Sequence, residues 1–93
     1  MIDRRTTYID PTFTLVGSRS EIVEGVTYRR YKTGTTGHAM ISDDGKIMVT
    51  QGYLNVSYTA YVLGLGPIGG KVKPKHFRNE TRACAEAVAI LKL

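Results

Sequence analysis

The apolar residues of this chain follow two different repeats. Between Tyr53 and Leu63 they alternate. Leu54, Val56, Tyr58, Ala60 and Val62 point one way, and Asn55, Ser57 and Thr59 the other, bracketed by Tyr53 and Tyr61. Successive side chains of a strand leave opposite faces, so this pattern predicts a strand with one covered face and one wet face. From Glu80 to Leu91 the spacing becomes helical. Cys84, Ala87, Val88 and Leu91 share one face, Arg82 and Glu86 point away from it, and Ala83, Ala85, Ala87 and Ala89 add helix propensity. Asn79 is a good N-cap, and Glu80 sets a negative charge against the positive end of the helix dipole.

Shorter segments complete the pattern. Residues 1–11 read as a flexible arm ending at Pro11. Thr12 to Val16, with Phe13 and Leu15 on one face, predicts a short strand, and Gly17-Ser18-Arg19-Ser20 carries turn chemistry. Val26 to Lys32 alternates, with Val26, Tyr28 and Arg30 against Thr27, Arg29 and Tyr31, until Gly34-Thr35-Thr36-Gly37 breaks it. His38 to Ser42 and Ile47 to Gln51 flank Asp43-Asp44-Gly45-Lys46, a hairpin in which Gly45 takes the positive φ of the turn. Gly64 to Gly70 is a glycine-rich connection with room for a short strand near Ile68 or Val72. The expected architecture is a single α+β domain over residues 1–93. An antiparallel sheet of about four to five strands is covered on one face by one C-terminal helix.

Charge adds the first functional information. The chain has 93 residues and a net charge of +5, and Lys71, Lys73, Lys75, Arg78 and Arg82 against the lone acid Glu80 supply +4 of it. The cluster sits just before and on the first turn of the helix, where unpaired N–H groups already favour anions. It points to nucleic acid, an acidic protein face or an anionic membrane; a merely solvated basic surface is the competing reading. The single Cys84 excludes an internal disulfide, and Asp3, Arg4, Arg5 and Asp10 make the first ten residues too polar for a signal peptide. No apolar run reaches transmembrane length, so a cytoplasmic protein with no membrane partner is expected.

Motifs for chemistry are weak. Gly64-Leu65-Gly66-Pro67-Ile68-Gly69 matches the dinucleotide pattern letter for letter, but that motif must open a helix directly. Here Lys71, Val72, Lys73 and Pro74 intervene, so a flexible turn is the better account. Tyr28-Arg29-Arg30-Tyr31-Lys32 interleaves rings and cations, as nucleic-acid surfaces do. Alternation puts the two tyrosines on opposite faces, and an ordinary amphipathic strand explains the segment more simply. His38 and His76 lack ligand-spaced partners, Cys84 falls on the buried helix face, and Asp43 and Asp44 sit in a glycine turn. No catalytic, cofactor or metal residues and no small-molecule substrate are therefore expected. The candidate binding residues are Lys71, Lys73, Lys75, Arg78 and Arg82, with Tyr28, Arg29 and Arg30 as a second patch. An unpaired sheet edge offers a route to a homo-oligomer.

Two resemblances bear on this reading. The order of strands, glycine turn, basic cluster and alanine-rich helix resembles the C-terminal half of a double-stranded-RNA-binding domain. In that family, basic residues at the start of the last helix grip phosphates. Lys75, Arg78 and Arg82 would be the counterparts, although Asn79 and Glu80 break the family's basic run and its N-terminal helix is missing. The build also resembles small sheet-plus-helix proteins of phages and mobile elements, among them anti-CRISPR inhibitors. It rests on the strand Tyr58 to Val62, the turn Gly64 to Gly70, and Phe77 leading into Ala83 to Leu91. That resemblance implies a non-catalytic protein that occupies a surface of a nucleic-acid-handling complex. The first implies a stand-alone RNA- or DNA-binding module.

Overall fold

A computed structural model of the chain describes residues 7–33, 37–51, 57–70 and 72–92. Its strands are β1 (Thr14–Val23), β2 (Val26–Lys32), β3 (His38–Ser42), β4 (Ile47–Gln51), β5 (Tyr58–Val62) and β6 (Gly66–Pro67), followed by helix α1 (Glu80–Leu91). The strands form one antiparallel sheet in the order β1-β2-β3-β4-β5-β6, each hydrogen-bonded to its neighbours in sequence. The α+β class and the C-terminal helix are as expected, but the strand count is higher. The extra pairing comes from Gly66–Pro67, opposite Tyr61 and Val62, a segment too short to show any repeat.

The first hairpin also departs from expectation. β1 does not turn at Gly17–Ser20; it runs through, with a register shift between Leu15 and Ser20. Gly17, at φ 67, permits that irregularity. The turn lies instead at Glu24-Gly25, between the paired Val23 and Val26, with φ values of 52 and 78. Positive φ at both central residues is the two-residue hairpin geometry that matches strand twist. Glutamate is an unusual first residue there, which is why the sequence did not advertise it.

The β3–β4 hairpin forms where expected. The Gly45 N–H donates to the Ser42 carbonyl at 2.8 Å, and Gly45 has φ 73. The buried Ser42 hydroxyl accepts the N–H groups of Lys46 (3.1 Å) and Ile47 (3.0 Å) and donates to Asp44 Oδ1 at 2.6 Å. The Thr7 side chain lies where a Cβ on Gly45 would point, so this position is closed to larger residues. The Tyr8 N–H donates to the Gly45 carbonyl at 2.7 Å, and its ring meets that of Tyr61 edge-on at 6.4 Å. The described end of the N-terminal segment therefore rests on the sheet face opposite the helix; residues 1–6 lie outside the described residues.

The core sits between the other face and α1. Tyr28, Met40, Ile47, Val49, Ala60, Val62 and Phe77 pack with Ala83, Cys84, Ala87 and Val88. Small residues on the helix allow this close approach. Of the expected core strand, Ala60 and Val62 are buried and Tyr58 is partly so; Leu54 and Val56 lie outside the described residues. Leu91 is corrected: as the last residue of α1 it stays 40% exposed, and Ile90 makes the final contact with the core. The opposite face is not uniformly wet either, since Ala39, Ile41 and Thr59 are buried.

Candidate functional site

The connection from β6 to α1 carries the basic cluster and is fixed at three points. The Lys75 N–H donates to the Ile68 carbonyl at 2.7 Å. Phe77 forms an isolated antiparallel bridge with Tyr58, with reciprocal hydrogen bonds of 2.7 and 2.8 Å. Asn79 then caps the helix, its Oδ1 accepting the Arg82 N–H at 3.2 Å, as the sequence predicted. Antiparallel partners share a face, so Phe77 enters the helix-side core. His76 points to the other face, its Nδ1 3.3 Å from Thr59 Oγ1.

Gly69 closes the neck of the loop. It has φ 94, and a Cβ there would lie 2.6 Å from the Lys75 nitrogen and 3.0 Å from the Lys73 carbonyl oxygen. Only glycine fits both the conformation and the space. Beyond the neck, Val72, Lys73 and Lys75 are exposed, as are Arg78 and Arg82. Lys71 lies outside the described residues. The Lys75 ammonium stands 5.1 Å from the centre of the Phe77 ring, a contact that steadies the cation without cancelling its charge. Lys73, Lys75, Arg78 and Arg82 take part in none of the ion pairs found among the described residues.

The lone acid of the cluster is held elsewhere. Arg30 grips both oxygens of Glu80, Nη1 to Oε2 at 3.0 Å and Nη2 to Oε1 at 2.8 Å. The same Nη2 reaches Glu21 Oε2 at 3.0 Å and the Met40 sulfur at 3.3 Å. These hydrogen bonds, Glu80 first, hold the guanidinium above its already high ordinary pKa, against the opposing effect of burial. Arg30 thus ties β2 to the first turn of α1 and turns the Glu80 carboxylate inward. Sequence alone gave no sign of this pair, because 50 residues separate its members.

The expected second patch does not assemble. Tyr28 is fully buried, so its ring is not available to a partner. Arg30 shares the Tyr28 face and is consumed by Glu80 and Glu21. Arg29 is on the opposite face, where its Nε lies 3.4 Å from Asp43 Oδ1. The alternation of β2 produces this separation, and burial of one face removes the interleaved surface.

The remaining candidates for chemistry are structural in their surroundings. Cys84 is buried, and desolvation, followed by the nearby Glu80 charge, pushes its thiol up to about 12. Tyr28 is raised above the ordinary tyrosine value by burial and then by Cys84, and no hydrogen-bond partner for its hydroxyl is found among the described residues. Asp44 is held below its ordinary value chiefly by the Ser42 hydroxyl. No group of three or more His, Cys, Asp or Glu side chains suited to a metal occurs among the described residues. Nor is any helix among them long and apolar enough to cross a membrane. In comparisons with known proteins, the chain matches no family model, no curated protein and no solved structure.

Proposed function

We propose that this is a non-catalytic binding protein that docks the loop and helix edge carrying Lys73, Lys75, Arg78 and Arg82 onto an anionic surface of a nucleic-acid-handling complex. In this reading it acts as an inhibitor of the anti-CRISPR kind. The observation that carries it is the accounting of charge. Four cations stand exposed and outside the ion pairs found among the described residues, while the acid nearest them in sequence is clamped by Arg30. Concentrated unpaired charge raises the local concentration of an anionic partner and speeds encounter. The buried, hard-to-ionise Cys84 and the turn-forming Asp44 support a role without covalent or acid–base chemistry.

Recovery from host lysate tests the proposal. The tagged protein is expected to retain one host complex after nuclease treatment, and to lose it when Lys73, Lys75 and Arg78 are replaced by glutamate. Recovery of nucleic acid alone, abolished by nuclease, would instead identify a stand-alone binding module. Unchanged capture by the triple variant would remove the basic edge from the interface.

A further inference from the structure

β1 is the open edge of the sheet. The order β1-β2-β3-β4-β5-β6 leaves it paired on one side only, over a length of ten residues. The other edge is largely taken, because β6 pairs with Tyr61 and Val62, and Phe77 bridges Tyr58. The register shift disturbs the first half of β1, whereas Ser20 to Val23 pairs regularly with β2. Val23 and Val26 close the two-residue turn as a hydrogen-bonded pair, so alternation turns the N–H and C=O groups of Ser20 and Ile22 away from β2. Such a row is a template for another strand unless proline, lysine or a covering element blunts it. Ser20 to Val23 contains no proline and no lysine, Ser20 is exposed, and Ile22 is 71% exposed. Of the six exposed large apolar residues among the described ones, three lie on β1: Leu15, Val16 and Ile22.

Charge decides what kind of strand fits. Arg30 holds both oxygens of Glu80 and, through Nη2, one oxygen of Glu21. Two carboxylates on one guanidinium leave a local surplus of one negative charge in a chain of net charge +5. The Glu21 side chain is 52% exposed, and with Val16, Gly17, Ser20 and Arg30 it lines a cavity of about 340 Å³ beside the edge. A residue paired opposite Glu21 sets its side chain on that same face, its Cβ about 5 Å from that of Glu21. We infer that the β1 edge takes an extended segment of a partner protein by strand addition, with a lysine or arginine opposite Glu21 and an apolar residue opposite Ile22. The main chain supplies the grip, and the alternate side chains supply the selectivity. A second copy of β1 does not meet both demands. The two-fold register that opposes Ile22 to Ile22 sets Glu21 against Val23, and the one that sets Glu21 against Arg19 opposes Ile22 to Ser18. This edge is separate from the basic loop and goes beyond the proposed function.

Peptide titration of the purified full chain tests this, read by fluorescence anisotropy and by amide hydrogen exchange. The probe is a short labelled peptide in which lysine and valine alternate. A companion carries glutamate in place of lysine, and two others are N-methylated, one at the valines and one at the lysines. The glutamate peptide is expected to bind about tenfold more weakly at low salt, and Glu21→Gln to weaken the lysine peptide by about two- to fivefold. Circular dichroism verifies that the variant keeps its fold. A valine opposite Ile22 exchanges the main-chain hydrogen bonds, so N-methylation of the valines should abolish binding and N-methylation of the lysines should spare it. Exchange should slow at Ile22 but not at Glu21, whose N–H already faces β2. Equal binding of the two N-methylated peptides, equal affinity for lysine and glutamate peptides, no binding at millimolar lysine peptide, or unchanged exchange at Ile22 would overturn the site. A chain that sediments as a dimer, with Ile22 protected before any peptide is added, would overturn it by giving the edge to a second copy.

Discussion

Replacing Glu80 with glutamine should push stability and anion binding in opposite directions. Glu80 does two jobs in the structure. It accepts two hydrogen bonds from Arg30, at 2.8 and 3.0 Å, that join α1 to β2. It is also the nearest negative charge in sequence to Arg78 and Arg82. Hydrogen bonds to charged groups contribute about 1.5–3 kcal/mol, and a negative charge in the first helical turn adds up to about 1 kcal/mol. Two features reduce the sum. The Arg30 side chain is 37% exposed, so solvent screens the pair, and Arg30 keeps its 3.0 Å contact with Glu21 after the change. Glutamine also retains one acceptor. A net loss of about 1–2 kcal/mol remains, equivalent to a melting temperature lower by about 5–15 °C for a domain of this size.

Binding should move the other way. Removing the Glu80 charge releases Arg30 from its partner and raises the net positive charge of this end of the helix. Because the carboxylate is tied to Arg30 and water screens the rest, the gain is a fraction of a kcal/mol, or about twofold in affinity at low salt. Urea titration measures the first effect, and the anisotropy of a labelled nucleic acid below 100 mM salt the second. Glu86→Gln, on the same helix but outside the Arg30 network, is the control and should change stability by less than about 0.5 kcal/mol. If Glu80→Gln is as stable as wild type, the Arg30 clamp does not hold the helix. If it binds anions more weakly, Glu80 is part of the interface and the charge accounting behind the proposed function fails.

Three further outcomes follow from the core and the turns. Val88→Ala should cost about 1–3 kcal/mol through lost burial, whereas Leu91→Ala, at 40% exposure, should cost well under 1 kcal/mol; equal costs in denaturant titration would mean that the inward face of α1 is misassigned. With its thiol pushed up to about 12, native Cys84 should resist Ellman's reagent at pH 8 and react at once in denaturant; rapid native labelling would contradict its burial. Asp44 is depressed from its ordinary 3.8 in the folded state, so its contribution is present above that value and is lost as pH falls through the lower folded value. Asp44→Asn should therefore flatten the acid limb of a stability profile below about pH 4, and an unchanged limb would show that the Ser42–Asp44 bond does not stabilise the turn.

The fold was legible where a repeat ran long enough to count. α1 was readable to its cap because Asn79, a helical apolar stripe and a run of alanines agree with one another. The β3–β4 hairpin was readable because Gly45 supplies the one backbone conformation that the turn needs. Two features misled. Gly17 looked like a turn but serves a strand irregularity, since a glycine with positive φ suits either. Leu91 continued the stripe on paper, but the helix ends there, so periodicity overran the packing that gives it meaning.

The candidate site divides along a different line. Local signals picked out the basic loop, and its described cations Lys73, Lys75 and Arg78 are exposed. The second patch failed because the sequence shows which residues alternate but not which face is covered. Tyr28 and Arg30 sit on the helix side of β2, so one became core and the other became the partner of Glu80. That pairing matters beyond stability. Counted along the chain, Glu80 dilutes the basic cluster; in the fold its carboxylate is spent on Arg30, and the cluster keeps its cations unopposed. Charge that a sequence presents as mixed is separated by folding into a tied pair and a free edge. The free edge, not the total of +5, is the quantity that a binding experiment should follow.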